Sequence, residues 1–180
     1  MFDKENFIRN CIEASADSFD AVSEVVKEIM YYPSKIISQL GEPEHAGIYP
    51  LYRSKALTII NFTWAPCMSL MPHNHQMAAV IGIYAGREDN IIWRRDGNSI
   101  IADKALSPGT GDVISLDSDA IHSVLNPLEK MTCAIHVYEG DFFAPEKQRS
   151  EWDHETLEES PWDIEKVKSI FTRAEERFKN

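Results

Sequence analysis

The spacing of apolar residues changes period twice along the chain. Within residues 4–31, the run Asp20–Met30 places apolar side chains at 22, 25, 26, 29 and 30. That is one face of an α-helix. Asp17 or Ser18 offers it a cap, Pro33 breaks it, and a short helix over 34–40 ends at Gly41. From Ile48 the period shortens, and β-type runs alternate with Gly, Pro, Asp and Asn. The predicted strands are 56–64, 69–75, 78–85, 91–95, 99–102, 112–116, 121–125 and 131–138. Gly86–Asn90, Asp96–Asn98 and Ser107–Asp112 read as the turns between them. Many short strands with regular turn signals imply a sandwich or a closed barrel. After Tyr138 the chain becomes acidic and irregular. Ser160 as N-cap and Pro161 at the first helical position then open a last helix. Its apolar stripe is Ile164, Val167, Ile170, Phe171, Ala174 and Phe178.

These elements divide one domain of 180 residues into N-terminal helices over 1–47, a mainly β barrel over 48–145, and an acidic loop with a C-terminal helix over 146–180. The net charge of −11 is uneven. Residues 1–50 hold nine acids and four bases, 139–180 hold twelve and seven, and 51–138 hold eight and seven. An acidic surface argues against nucleic acid or an anionic membrane as partner. The near-neutral middle suits a small anionic ligand once a metal adds charge. Cys11, Cys67 and Cys133 are odd in number and widely spaced. With no basic-then-apolar start in Met1–Glu5 and no apolar run of membrane length, they point to reduced thiols in a cytoplasmic protein. Nothing in the sequence fixes an oligomeric state.

The chemistry concentrates in Met71-Pro72-His73-Asn74-His75 and in Ile121-His122-Ser123. Side chains two apart on a strand share a face. His73 and His75 can therefore meet one ion, and His122 can complete a three-nitrogen face. Imidazole suits Fe, Zn, Ni or Cu. His136 and Tyr138 share a parity with Thr132 and Ala134, opposite the apolar Cys133, Ile135 and Val137. His45 and His154 lie in polar turns and read as solvated.

Two stretches resemble the cupin motifs in spacing. The first is Cys67-x5-His73-x-His75-x3-Ala79-x6-Gly86. The second is Gly111-x5-Asp117-x-Asp119-x2-His122-x3-Asn126. Ala79 stands where the usual cupin has a carboxylate ligand. Three histidines without that carboxylate, followed by Ala134-Ile135-His136-Val137-Tyr138, make the stretch Tyr49–Phe143 similar to the thiol dioxygenases of the cysteine dioxygenase type.

The resemblance implies a double-stranded β-helix, the jelly-roll barrel of the cupins. It implies Fe(II) on His73, His75 and His122, and a small thiol such as cysteine oxidised to its sulfinate by O2. Tyr138 would stand over the metal, oriented by His136. Arg53, after Tyr52, would hold the substrate carboxylate, with Arg87, Arg94 and Arg95 as competitors. Alanine at 79 excludes the cysteine–tyrosine crosslink of some members, and Asn126 supports the strand end. Three-histidine cupins also include dioxygenases that cleave carbon–carbon bonds, Zn or Ni isomerases and non-enzymatic binding modules. Fold does not choose among these.

Overall fold

The computed structural model describes residues 2–179, with side chains to Arg177. Three helices come first: α1 (Lys4–Asp17), α2 (Phe19–Met30) and α3 (Pro33–Leu40). Residues 4–31 were expected as one helix, but Ser18 divides them. Its extended backbone ends α1, and its hydroxyl accepts the Ala21 N–H at 3.3 Å to cap α2. Pro33 sits in the first turn of α3 and Gly41, at φ 88°, ends it.

Eleven strands follow among the described residues: β1 (Gly47–Arg53), β2 (Thr58–Trp64), β3 (Ser69–Asn74), β4 (Ala79–Ala85), β5 (Asp89–Asp96), β6 (Ser99–Leu106), β7 (Val113–Leu116), β8 (Ile121–Leu125), β9 (Thr132–Tyr138), β10 (Ser150–Trp152) and β11 (Glu159–Pro161). Helix α4 (Ile164–Lys179) closes the chain. The strands form two antiparallel sheets, ordered β1-β2-β9-β4-β7 and β11-β10-β3-β8-β5-β6. Four pairs nest inside one another: Thr58 faces Tyr138, His73 faces His122, Ala79 faces Leu116 and Asn90 faces Leu106. One long hairpin has thus been wound so that successive pairs enter alternate sheets. That nesting is the double-stranded β-helix.

Two layers of apolar packing explain the burial of the central strands. On β2, Ile60, Phe62 and Trp64 point between the sheets, with Ile81 and Ile83 of β4 and Ala134 and Tyr138 of β9. The opposite parity, Ile59, Val80, Cys133, Ile135 and Val137, packs beneath the helices against Val22, Val26, Met30 and Ile36. Every residue of β9 is buried for this reason. The N-terminal helices therefore cover the outer face of the first sheet. Val167 and Phe171 of α4 join the inner cluster, with the Phe171 ring 5.1 Å from that of Trp64.

Three elements differ from the sequence expectation. β1 lies ahead of the first predicted strand, 56–64; it is an edge strand with a bulge between Pro50 and Tyr52. Proline cannot donate to a ladder and is tolerated at such an edge. The stretch after Tyr138 is not irregular throughout, because β10 and β11 form a hairpin that extends the second sheet beside β3. The cap of α4 is Asp163, whose carboxylate accepts the Glu165 and Lys166 N–H groups at 2.9 and 3.3 Å, while Ser160 and Pro161 belong to β11. The expected stripe position Phe178 lies outside the described side chains. Among the described residues no helix is long and apolar enough to cross a membrane.

Gly82 lets α2 lie close against the sheet. A Cβ there would meet Met30 Cε at 2.6 Å and Val26 Cγ1 at 2.7 Å. Gly82→Val should lower the unfolding free energy by about 1–3 kcal/mol, the usual cost of overpacking. Urea denaturation checks this; an unchanged midpoint would mean that α2 is free to shift.

Candidate metal centre

His73 and His122 stand opposite each other on β3 and β8, their rings 4.5 Å apart. Between Leu70 and His73 the register shifts, so Met71 and Pro72 form a bulge. The bulge accommodates Pro72, which has no N–H to give. His75 follows β3 just before a turn in which Gln76 has φ 54°. All three histidines are buried. Their coordinating nitrogens lie within 4.8 Å of one another, His75 Nε2 being 3.2 Å from His73 Nε2 and 3.3 Å from His122 Nε2.

The outward nitrogens fix the tautomers. His73 Nδ1–H donates to the Met71 carbonyl at 2.9 Å, and His122 Nδ1–H to Asn90 Oδ1 at 2.7 Å. Both Nε2 lone pairs therefore point inward. His75 could turn one proton toward one neighbour, and the remaining lone pair would still face nitrogen. A shared cation satisfies all three. Metal–nitrogen bonds of about 2.0–2.1 Å place ligating nitrogens about 3–3.4 Å apart in octahedral or tetrahedral geometry, which matches the spacing here. The residues fit a metal ion.

Burial sets the protonation. It pulls His73 down to about 4, a fall reinforced by the charge of Arg149 and opposed by the Met71 hydrogen bond. Burial, then the neighbouring histidines, carries His75 and His122 well below the ordinary histidine value. All three are neutral ligands at neutral pH.

Around them lies a tight cavity lined by Phe62, Trp64, His136, Tyr138, Phe142 and Trp162, with space for about one water molecule. The Tyr138 ring stands edge-on to His75 at 4.9 Å, and its hydroxyl is 2.9 Å from His136 Nδ1. Burial, then the Glu88 charge, raises the Tyr138 phenol well above its ordinary value. Ala79 is buried directly opposite Tyr138 on the neighbouring strand. Cys133 faces the helices and not the cavity. Asn126 ties strand ends together, bonding the Trp64, Ala65 and Lys130 carbonyls.

Arg53 and Tyr52 are not brought to this cavity. Arg53 is half exposed and holds Asp141 through two bonds of 2.8 and 2.9 Å. Tyr52 packs under the N-terminal helices. Arg94 and Arg95 are both exposed, near Asp103 and Glu159, and Arg87 pairs with Asp89. A local carboxylate meets each candidate at the surface, which the motif spacing did not reveal. His45 pairs with Glu175 at the surface, and His154 is exposed.

A different arginine, Arg149, which the motif spacing does not mark, packs against the cavity wall. It is 6% exposed, and its guanidinium sits 4.7 Å from the Phe142 ring and 5.1 Å from the Trp162 ring, both cavity walls. Its Nε and Nη1 have no hydrogen-bond partner. Burial lowers it to about 10, so it stays charged at neutral pH. The hairpin places it: Glu151 lies opposite His73, Asn74 Oδ1 accepts the Ser150 N–H, and the Arg149 carbonyl accepts the Trp162 N–H. The available sequence signal was Asp153, whose carboxylate accepts the Glu155 and Thr156 N–H groups and turns the chain between β10 and β11.

Comparisons with known proteins add resemblance without identity. No family model matches the chain, and no curated protein matches it. Among solved structures it is similar to an RmlC-like cupin with a double-stranded β-helix fold from Methanocaldococcus jannaschii, at 9% identity over 57% of this chain and 87% of that one, TM-score 0.48. An uncharacterised Klebsiella pneumoniae protein with a double-stranded β-helix domain gives 9% identity over 64% and 87%, TM-score 0.49. Oxalate decarboxylase from Bacillus subtilis gives 22% identity over 54% and 24%, TM-score 0.43. These scores fall below 0.5, and the fold and site stand on the strand nesting and the histidine geometry alone.

His73→Ala, His75→Ala and His122→Ala should each lose tight metal binding, whereas His45→Ala and His154→Ala should keep it, as read by metal content after dialysis. The metal-free protein should also lose stability in acid. The three histidines titrate near 6.5 when unfolded but lower when folded, so the unfolded chain takes up protons first. The contribution of His73 is complete above about pH 6.5 and is lost as the pH falls toward about 4, and the lowered His75 and His122 deepen the loss in the same direction. Urea midpoints against pH, with a shallower slope in His73→Asn, check this.

Proposed function

We propose that the protein is an Fe(II)-dependent thiol dioxygenase acting on a small thiol acid. The observation that carries the reading is the buried guanidinium of Arg149, whose Nε and Nη1 have no hydrogen-bond partner, packed on two walls of the cavity that the three neutral histidines line. A buried cation without a partner is costly, and a ligand carboxylate supplies one. The three histidines bring no negative charge, which leaves a divalent ion free to attract an anionic sulfur ligand. Bound Fe(II) would supply the activation of O2 and favour the thiolate over the thiol. In the net reaction one thiol and one O2 give one sulfinic acid. Sulfur loses four electrons, O2 gains them, both oxygen atoms end on sulfur, and no further reductant is needed.

The chain's own groups bind, orient and exclude water. Arg149 holds the carboxylate and so aims the sulfur toward the histidines. Phe142 and Trp162 fix the guanidinium plane by stacking. Tyr138 faces the same space, with its hydroxyl held by His136. Phe62 and Trp64 give the cavity an apolar wall, backed by Phe171 packed against Trp64. Its small volume implies that the hairpin carrying Arg149 must yield when a substrate enters.

Anaerobic loading with Fe(II), then oxygen uptake with 3-mercaptopropionate, cysteine and cysteamine and mass detection of sulfinate, tests the reading. Arg149→Ala should lower kcat/KM for the thiol acids more than tenfold, since losing one partner of a buried charge pair typically costs several kcal/mol. Slow turnover of cysteamine should survive, Arg149→Lys should recover little, and Arg53→Ala should change neither. Iron binding without sulfinate from any thiol would overturn the activity and favour another metal-dependent cupin chemistry.

A further inference from the structure

Behind the metal centre lies a carboxylate that the proposed chemistry does not use. Glu88 precedes β5, is fully buried, and is the meeting point of three side-chain donors. Oε2 accepts from the Trp64 indole at 2.7 Å and from His136 Nε2 at 3.3 Å, and Oε1 accepts from Asn90 Nδ2 at 3.2 Å. Two chains of hydrogen bonds leave it. One runs through Asn90 Oδ1 to His122 Nδ1. The other runs through His136 Nδ1 to the Tyr138 hydroxyl.

We infer that Glu88 is a positioning residue that sets the proton placement of both the His122 ligand and Tyr138. The directions follow from donor and acceptor identities. The indole N–H can only donate, so Oε2 must accept. His136 then gives its Nε2 proton to Glu88 and uses the Nδ1 lone pair to accept the Tyr138 O–H. The Tyr138 hydroxyl proton points away from the metal centre, and its oxygen lone pairs face the ligand space. On the other branch Oε1 fixes which end of the Asn90 amide faces it. Asn90 Nδ2 also donates to the Glu88 backbone carbonyl at 3.2 Å, so Oδ1 is left for His122. His122 is thereby held as the Nδ1–H tautomer, the one with a free Nε2 for metal.

Glu88→Gln changes one atom and separates the branches. The amide oxygen must stay toward the indole, which places the new NH2 against Asn90 Nδ2. Turning Asn90 over relieves this clash, at the cost of its bond to the Glu88 backbone carbonyl; it then presents an N–H to His122 Nδ1, which takes the Nε2–H tautomer and loses its ligating lone pair. His136 and Tyr138 keep their arrangement. The inference rests on the metal-centre reading, and its test uses neither thiol nor oxygen. In the metal-free wild type, 15N shifts of the imidazoles should report Nδ1–H at His122 and Nε2–H at His136. In Glu88→Gln, His122 should switch while His136 does not, and Zn(II) or Co(II) affinity should fall about tenfold or more, the usual effect of removing support behind a ligand.

Asn90→Ala provides a second route if Glu88→Gln does not fold. It should weaken metal binding to a similar degree and leave the His136 tautomer in place. Adding Glu88→Gln to Asn90→Ala should then weaken metal binding no further, because the two residues act along one path. Unchanged His122 tautomer with metal affinity within twofold in either variant overturns the inference. So does an additive loss in the double variant. A wild type that binds neither ion but shows both tautomers would overturn the metal reading and leave the Glu88 assignment standing.

Discussion

Three imidazoles cannot be packed with their lone pairs facing one another unless something positive is shared among them, and unless each outward nitrogen is satisfied elsewhere. That constraint organises the interior. The Met71 carbonyl at the β3 bulge answers His73, and Asn90 on β5 answers His122. Both partners exist because β3, β8 and β5 lie side by side in one sheet. The winding of one long hairpin into a barrel places His73 opposite His122 and faces them across the cavity with Tyr138 of the other sheet.

The dryness of the barrel gives this arrangement its electrical character. Helices cover one sheet from outside, and side chains of α4 pack into the inner cluster between the sheets. In such surroundings the histidines stay neutral, Tyr138 keeps its proton, and Arg149 retains a full charge with little to balance it. The cavity is therefore cationic once a metal is present. A small anion entering it would meet the ion and the guanidinium at once, while the long aromatic walls supply shape without charge. Glu88 and Glu151 are both buried carboxylates; Glu151 pairs with Lys166, whereas Glu88 lies where its hydrogen bonds serve the ligand and the phenol together.

Local pattern misled at the surface-exposed arginines. Arg53 follows a tyrosine before the central strands and looks placed for a clamp, yet Asp141, far along the chain, takes both of its inward nitrogens. Arg95 meets Glu159 in the same way. Charged pairs of this sort depend on which loops the fold brings together, and residue spacing within one motif carries no information on that. The hairpin bearing Arg149 was hidden for a related reason. Its strands are only three residues long each, rich in acids, and have no alternating pattern strong enough to separate them from a loop.

What the sequence determined by itself was what short-range periodicity encodes: the helices before the barrel, the principal strands, the inward parity of His136 and Tyr138, and the grouping of His73, His75 and His122. Alternation on a strand fixes which side chains share a face, and a buried face tolerates a polar residue only where a partner awaits it. The tertiary structure decided the rest. It split the first helix at Ser18, moved the helix cap to Asp163, and removed Arg53 from the centre. It brought Arg149 and Glu88 in from turns that no periodicity marks. Those two residues owe their environment to contacts between segments distant in sequence, and burial, which converts an ordinary charge into a directing one, exists only after the chain has closed around it.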